Sequence, residues 1–156
     1  MHMVSAGPSG VLCALLIAPL ASHALGAQTA APKAAYDTTI NVRANSSTLE
    51  FDPPILAVRH GVRVRLRFTN SGSLPHNFVI VRDENDIDDL AAAAMRQGGN
   101  YIPATMTSKM IAYTTLASPA QTLEVIFTMP AAGEYTYVCL MSGHANSMLG
   151  KLRSLR

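Results

Sequence analysis

The sequence predicts an all-β fold, a Greek-key β-sandwich of about seven to eight short strands with one inserted short helix. Three observations carry that prediction. Short strand-like runs recur along residues 38–155, separated by clusters of Gly, Pro, Asn, Asp and Ser. A single stretch, residues 86–97, has a helical pattern. No segment repeats another.

Taken in order, residues 1–27 read as a signal peptide. Residues 11–21 form an apolar run of h-region length, and small residues follow, so that cleavage is expected after Ala24 or Ala27. Residues 1–10 contain no Lys or Arg. An uncleaved membrane anchor, a lipid anchor and a buried helix are the competing readings. The run is short for a bilayer span. Export places the chain in the periplasm or outside the cell, with the membrane met only in transit. Residues 28–37 are rich in Ala, Thr and Pro and read as a linker. Residues 38–156 form the domain.

Within it, residues 38–44 alternate, with Ile40 and Val42 on one face. Residues 48–51 make a short strand that stops at Pro53 and Pro54. Residues 62–68 are the clearest strand. Val62, Val64, Leu66 and Phe68 face inward, and Arg63, Arg65 and Arg67 face solvent. Residues 77–81 are apolar after Asn77. In the helix, Asp86, Asp88 and Asp89 crowd the start, where the macrodipole favours them, and Gly98 and Gly99 end it. Residues 100–108 are loop. Residues 110–115, 122–128 and 135–139 are strands, with a turn at 130–133. A weaker pattern at 151–155 closes the sheet.

Composition narrows the function. The chain has 156 residues, enough for one domain, and 49% are hydrophobic, so a core is attainable. The net charge is +2 with no basic block, which argues against nucleic acid as a partner. There is no Trp and only 6% aromatic residues, too few for stacking platforms. Cys13 leaves with the signal, so Cys139 is the lone thiol of the mature chain. It has no internal disulfide partner, and in the open it would be prone to oxidation. A small buried hydrophobe is the bland reading of such a residue.

The company of Cys139 argues for more. His144 and Met148 follow it within ten residues. Thiolate, imidazole and thioether are the donor types of a trigonal copper site with a weak axial sulfur. A second imidazole is needed, and His76 offers it from the segment Leu74, Pro75, His76, Asn77, Phe78. If the strand starting near His76 lies beside the strand ending at Cys139, all four donors meet at one rim. His60 reads as an ordinary surface or core residue, and His2 and His23 belong to the signal.

These segments, with the spacing Cys139-x4-His144-x3-Met148, resemble the small blue copper proteins, or cupredoxins. The ligand-loop spacing and the inserted helix are similar to azurin, and Pro75-His76-Asn77 is closer to plastocyanin. The resemblance covers residues 38–152. It implies a cupredoxin-like sandwich holding one type 1 copper, with His76, Cys139 and His144 equatorial and Met148 axial. It also implies that Asn77 ties the His76 strand to the Cys139 loop. Three positions depart from azurin. Pro75 replaces a Gly, Ser142 replaces a Pro, and Leu140 replaces a Ser or Thr, so Asn77 is expected to lack its hydroxyl partner. Azurin's disulfide has no counterpart.

The implied activity is one-electron transfer between redox protein partners, not enzymatic catalysis. Leu74, Leu140, Met141 and Ala145 would form an apolar docking patch around His144. A copper chaperone or store without electron transfer is the alternative. An enzyme is disfavoured because Cys139 and His144 have no evident third orienting group. A second copper centre would need more His than His60 supplies.

Overall fold

The computed structural model describes residues 35–156. The predicted signal peptide and most of the predicted linker therefore lie outside the described residues. Tyr36 and Asp37, assigned to the linker, already bind the domain: Asp37 N–H donates to the Arg63 carbonyl, and the Arg65 guanidinium lies over the Tyr36 ring.

The strands are β1 (Thr38–Ala44), β2 (Phe51–Asp52), β3 (Ile55–Arg59), β4 (Arg63–Asn70), β5 (Val79–Val81), β6 (Met110–Tyr113), β7 (Thr122–Thr128), β8 (Gly133–Val138) and β9 (Leu149–Leu155). One sheet has the order β2-β1-β4-β7 and the other β3-β9-β8-β5-β6. The pairs β1–β4 and β3–β9 are parallel, while the rest are antiparallel. The predicted two-sheet sandwich is therefore present, with nine strands among the described residues.

Alternation explains the core. Val42 and Ala44 of β1, Val64, Leu66 and Phe68 of β4, and Phe127 of β7 pack against Leu56, Ile80, Tyr137 and Leu152 of the second sheet. Phe51, Phe68, Phe78 and Tyr137 form an aromatic knot, with ring centroids from 4.9 to 6.0 Å apart. The buried Tyr137 hydroxyl donates to the Pro53 carbonyl at 2.7 Å. Without that partner its burial would cost stability.

Helix α1 (Ile87–Gln97) covers the outer face of the second sheet. Ile87, Leu90 and Ala94 pack there with Val79, Val81, Met110 and Val138. This is why β5 is apolar at every position: both of its faces are covered. Gly98 ends the helix at φ 63°, a conformation glycine adopts without Cβ strain.

Three strand assignments differ most from the sequence reading, each for a physical reason. Residues 48–51 yield only β2, because Asn45 draws the preceding residues into a turn. Its side-chain oxygen accepts the Ser47 N–H, and its own N–H donates to the Glu50 carbonyl. β3 follows Pro54 directly and had no predicted counterpart. It alternates with only two inward residues, Leu56 and Val58. β9 extends the weak pattern at 151–155 and lies between β3 and β8. Its inward positions are Gly150, Leu152 and Ser154, so the hydrophobic signal was diluted. Gly150 is required there, since a Cβ would overlap the Tyr137 ring. The Ser154 hydroxyl donates to the Pro130 carbonyl.

Candidate metal centre

The antiparallel pairing of Val79 with Val138 places the start of β5 and the end of β8 at one rim. Cys139 directly follows Val138 there, and His76 lies three residues before Val79. Before β5 the chain bends away from the ladder. His76 exchanges backbone hydrogen bonds with Ala117 instead, donating to its carbonyl at 3.2 Å and accepting from its N–H at 2.8 Å. After β8 the chain enters two tight turns. His144 N–H donates to the Met141 carbonyl, and Ser147 and Met148 N–H both donate to the His144 carbonyl. Gly143 supplies the positive φ, 80°, that the first turn needs. Cys139 N–H then donates to the Met148 carbonyl at 3.1 Å, closing the loop on itself.

The result brings His76, Cys139 and His144 together, with one ligand atom of each within 4.8 Å of the others. Cys139 Sγ lies 3.8 Å from His76 Nδ1 and 3.6 Å from His144 Nδ1. A metal with bonds of about 2.3 Å to sulfur and about 2.0 Å to nitrogen, in a trigonal arrangement, needs them about 3.7 Å apart. The donor set therefore fits a metal ion of that size. Met148 is completely buried and belongs to the same inter-sheet core as Cys139. His60 is exposed and stands apart from this group, as expected.

Burial sets the electrostatics. His76 is lowered to about 4, first by desolvation and then by the neighbouring His144. Desolvation also lowers His144. Both imidazoles are thus neutral near pH 7 and offer lone pairs. Desolvation raises the Cys139 thiol, while the backbone N–H groups of Asn77 and Met141 pull it partly back. Metal binding must therefore displace a proton from sulfur, and those two amides then stabilise the thiolate charge.

Asn77 is fully buried, and its side chain bridges three segments. Its Oδ1 accepts the Leu140 backbone N–H at 2.8 Å, and its Nδ2 donates at 3.3 Å to the carbonyls of Asn100 and Tyr101. The expected tie to the Cys139 loop is present without a hydroxyl at 140, because the main chain provides the donor.

The proposed apolar patch needs correction. Leu140 is 1% exposed and Ala145 8%, because both pack under α1. Met141 is half-buried against the inter-sheet core, and Leu74 alone stands out, at 49%. The rim surface therefore reduces to Leu74 and part of Met141. Sequence reasoning also missed Asn70, a buried polar residue at the last inward position of β4. Its signal was there: a polar side chain where Val64, Leu66 and Phe68 set the inward alternation.

A two-sheet Greek-key sandwich with a buried Cys, two His and a Met at one rim defines the class of small copper-binding β-proteins. The model of copper-binding proteins of the plastocyanin/azurin family matches residues 38–153, and the chain belongs to that family. Auracyanin-A of Chloroflexus aurantiacus is 39% identical over 118 residues, 73% of this chain and 72% of its own length. The plastocyanin of Chlamydomonas reinhardtii is 33% identical over 147 residues, covering 94% and 79%. The solved structure of auracyanin A, described as a "blue" copper protein, superposes with a TM-score of 0.72 at 37% identity. That superposition covers 76% of this chain and 99% of the other. Copper is accordingly the cofactor.

Proposed function

We propose that the chain is a type 1 blue copper electron-transfer protein, with His76, Cys139 and His144 as equatorial ligands and Met148 as the axial one. The observation that carries this reading is the buried Cys139 sulfur flanked by two Nδ1 atoms at 3.8 and 3.6 Å. Bound copper supplies a one-electron couple between Cu(I) and Cu(II).

The chain's own residues do the rest. Cys139 and Met148 are completely buried, and His76 and His144 are 2% and 6% exposed. The donors are largely closed off from water, which favours electron transfer over catalysis. Four donors held by two sheets and a self-bonded loop move little between oxidation states, which keeps the barrier to electron transfer low. His144 lies on the loop at the rim and is the more exposed imidazole, so it serves as the port to partners. Those partners are redox proteins, one donating and one accepting an electron. Residues 1–27 act as the export signal, and residues 38–156 work in the periplasm or outside the cell as a carrier, not as an enzyme. The closed donor set weighs against a chaperone that must exchange its metal readily.

The test is an absorption spectrum of the Cu(II)-loaded protein. An intense thiolate-to-copper band in the visible is expected, and it disappears in Cys139→Ser. A colourless Cu(II) complex of the wild-type chain refutes the assignment.

A further inference from the structure

The loop that leads from β4 to His76 does more than connect. Asn70 ends β4 with its side chain 0% exposed, and every polar atom of that carboxamide is used. Nδ2 donates to the Leu74 carbonyl and to the Ala117 carbonyl, both at 2.8 Å. Oδ1 accepts the Gly72 N–H at 2.9 Å. The backbone of Asn70 is fixed as well, donating to Gln121 and accepting from Ala120. The Ala117 carbonyl is the shared acceptor, because it also receives the His76 N–H. One side chain thus staples the approach to His76, two residues upstream, to the strand-like partner that His76 itself pairs with.

The same carboxamide folds Gly72 over the imidazole. A Cβ at position 72 would lie 3.2 Å from His76 Nε2, 3.1 Å from the Asn45 carbonyl oxygen and 3.3 Å from Asn70 Oδ1. Gly72 does not have a positive φ, so a side chain there meets no backbone strain. A Cβ would instead crowd the ring's distal nitrogen and two oxygens, which must give by a few tenths of an ångström. His76 presents Nδ1 to Cys139, so pressure on Nε2, across the ring, is transmitted toward the metal-binding nitrogen.

We propose that the Asn70–Gly72 turn positions His76, with the Asn70 carboxamide fixing its backbone and the absent Cβ at 72 setting where its imidazole rests. The inference rests on His76 being a ligand. Neither residue touches the metal; both act through His76. Hydrogen bonds beyond the ligands orient them, and losing such a partner costs about 10- to 100-fold in metal affinity.

The decisive variant is Gly72→Ala, which removes no hydrogen bond. Asn70→Asp is its companion, since it keeps the acceptor for Gly72 N–H and loses both donors. Gly133→Ala is the control, because its Cβ would meet nothing nearer than 3.8 Å. The readouts are copper affinity by competition with a chelator and the imidazole nitrogen NMR signals of the Zn(II)-loaded protein. For Gly72→Ala the expected result is a His76 signal shift, an unshifted His144 and measurably weaker copper binding, with thermal stability near wild type; Asn70→Asp, which loses both donors, is expected to weaken copper binding about 10- to 100-fold. Unchanged His76 signals and affinity overturn the proposal. Failure of the underlying assignment looks different, because the wild-type copper protein would then lack its thiolate band.

Discussion

Replacing Asn77 by Ala tests how the site and the fold are joined. The substitution removes the acceptor of the Leu140 N–H, a buried bond of 2.8 Å, and leaves that donor without a partner. An orphaned buried donor costs about 1–3 kcal/mol. The bonds from Nδ2 to Asn100 and Tyr101 are longer, 3.3 Å each, and together add about 1 kcal/mol. The expected loss is therefore about 2–4 kcal/mol. At about 3–5 °C per kcal/mol for a domain of this size, the melting temperature of the metal-free protein falls by about 6–20 °C. The backbone N–H of residue 77 stays, so the sulfur keeps that favourable neighbour. The Cu(II) protein should remain coloured, with copper bound about 10- to 100-fold more weakly. Calorimetry and chelator competition check the two halves. A melting temperature within about 2 °C of wild type refutes the reasoning, since at this slope it would mean that the Leu140 N–H finds another partner.

Other perturbations separate core from site. Gly150→Ala drives a Cβ into the buried Tyr137 ring. Overpacking of this kind costs about 1–3 kcal/mol or more, and a lowered denaturant midpoint is its signature. Met148→Leu conserves volume in the core and should cost under about 1.5 kcal/mol. Voltammetry should nevertheless show a shifted reduction potential while the thiolate band persists, because Met148, as the proposed axial donor, would tune the copper. Tyr137 is raised by burial and by the charge of Asp52. Below its ordinary value of 10.0 both folded and unfolded states keep the proton, and stability does not depend on it. Above that value the unfolded chain ionises first and stability falls, by at most about 1.4 kcal/mol per pH unit. Tyr137→Phe should flatten that alkaline decline, measured against wild type by urea unfolding at several pH values.

The candidate donors of the Cys139 loop were legible because that information is local. Cys139, His144 and Met148 lie on one loop, and their side-chain chemistry is written in residue type and spacing. The strand of residues 122–128 and the inward row of β4 were legible for the same reason, since period-two alternation is a property of neighbours in the chain. β3 and β9 were harder. Their inward residues are few or small, and what makes them strands is pairing with remote segments, since β3 pairs with β9 in parallel and β9 also pairs antiparallel with β8. The docking patch was misjudged because Leu140 and Ala145 look like surface loop residues until α1 covers them.

The sequence by itself thus determined the fold class, the helix with its two ends, and the chemistry of the donor atoms. Tertiary structure alone decided that His76 reaches Cys139 across 63 residues of chain. It also decided that the Leu140 main chain replaces a missing hydroxyl, and that the Asn70 carboxamide reaches the Ala117 carbonyl. Those contacts depend on distances between segments remote in the chain, which no local pattern encodes. The cupredoxin-like loop of Cys139, His144 and Met148 carries the chemistry, and the packing of the two sheets against it supplies the geometry.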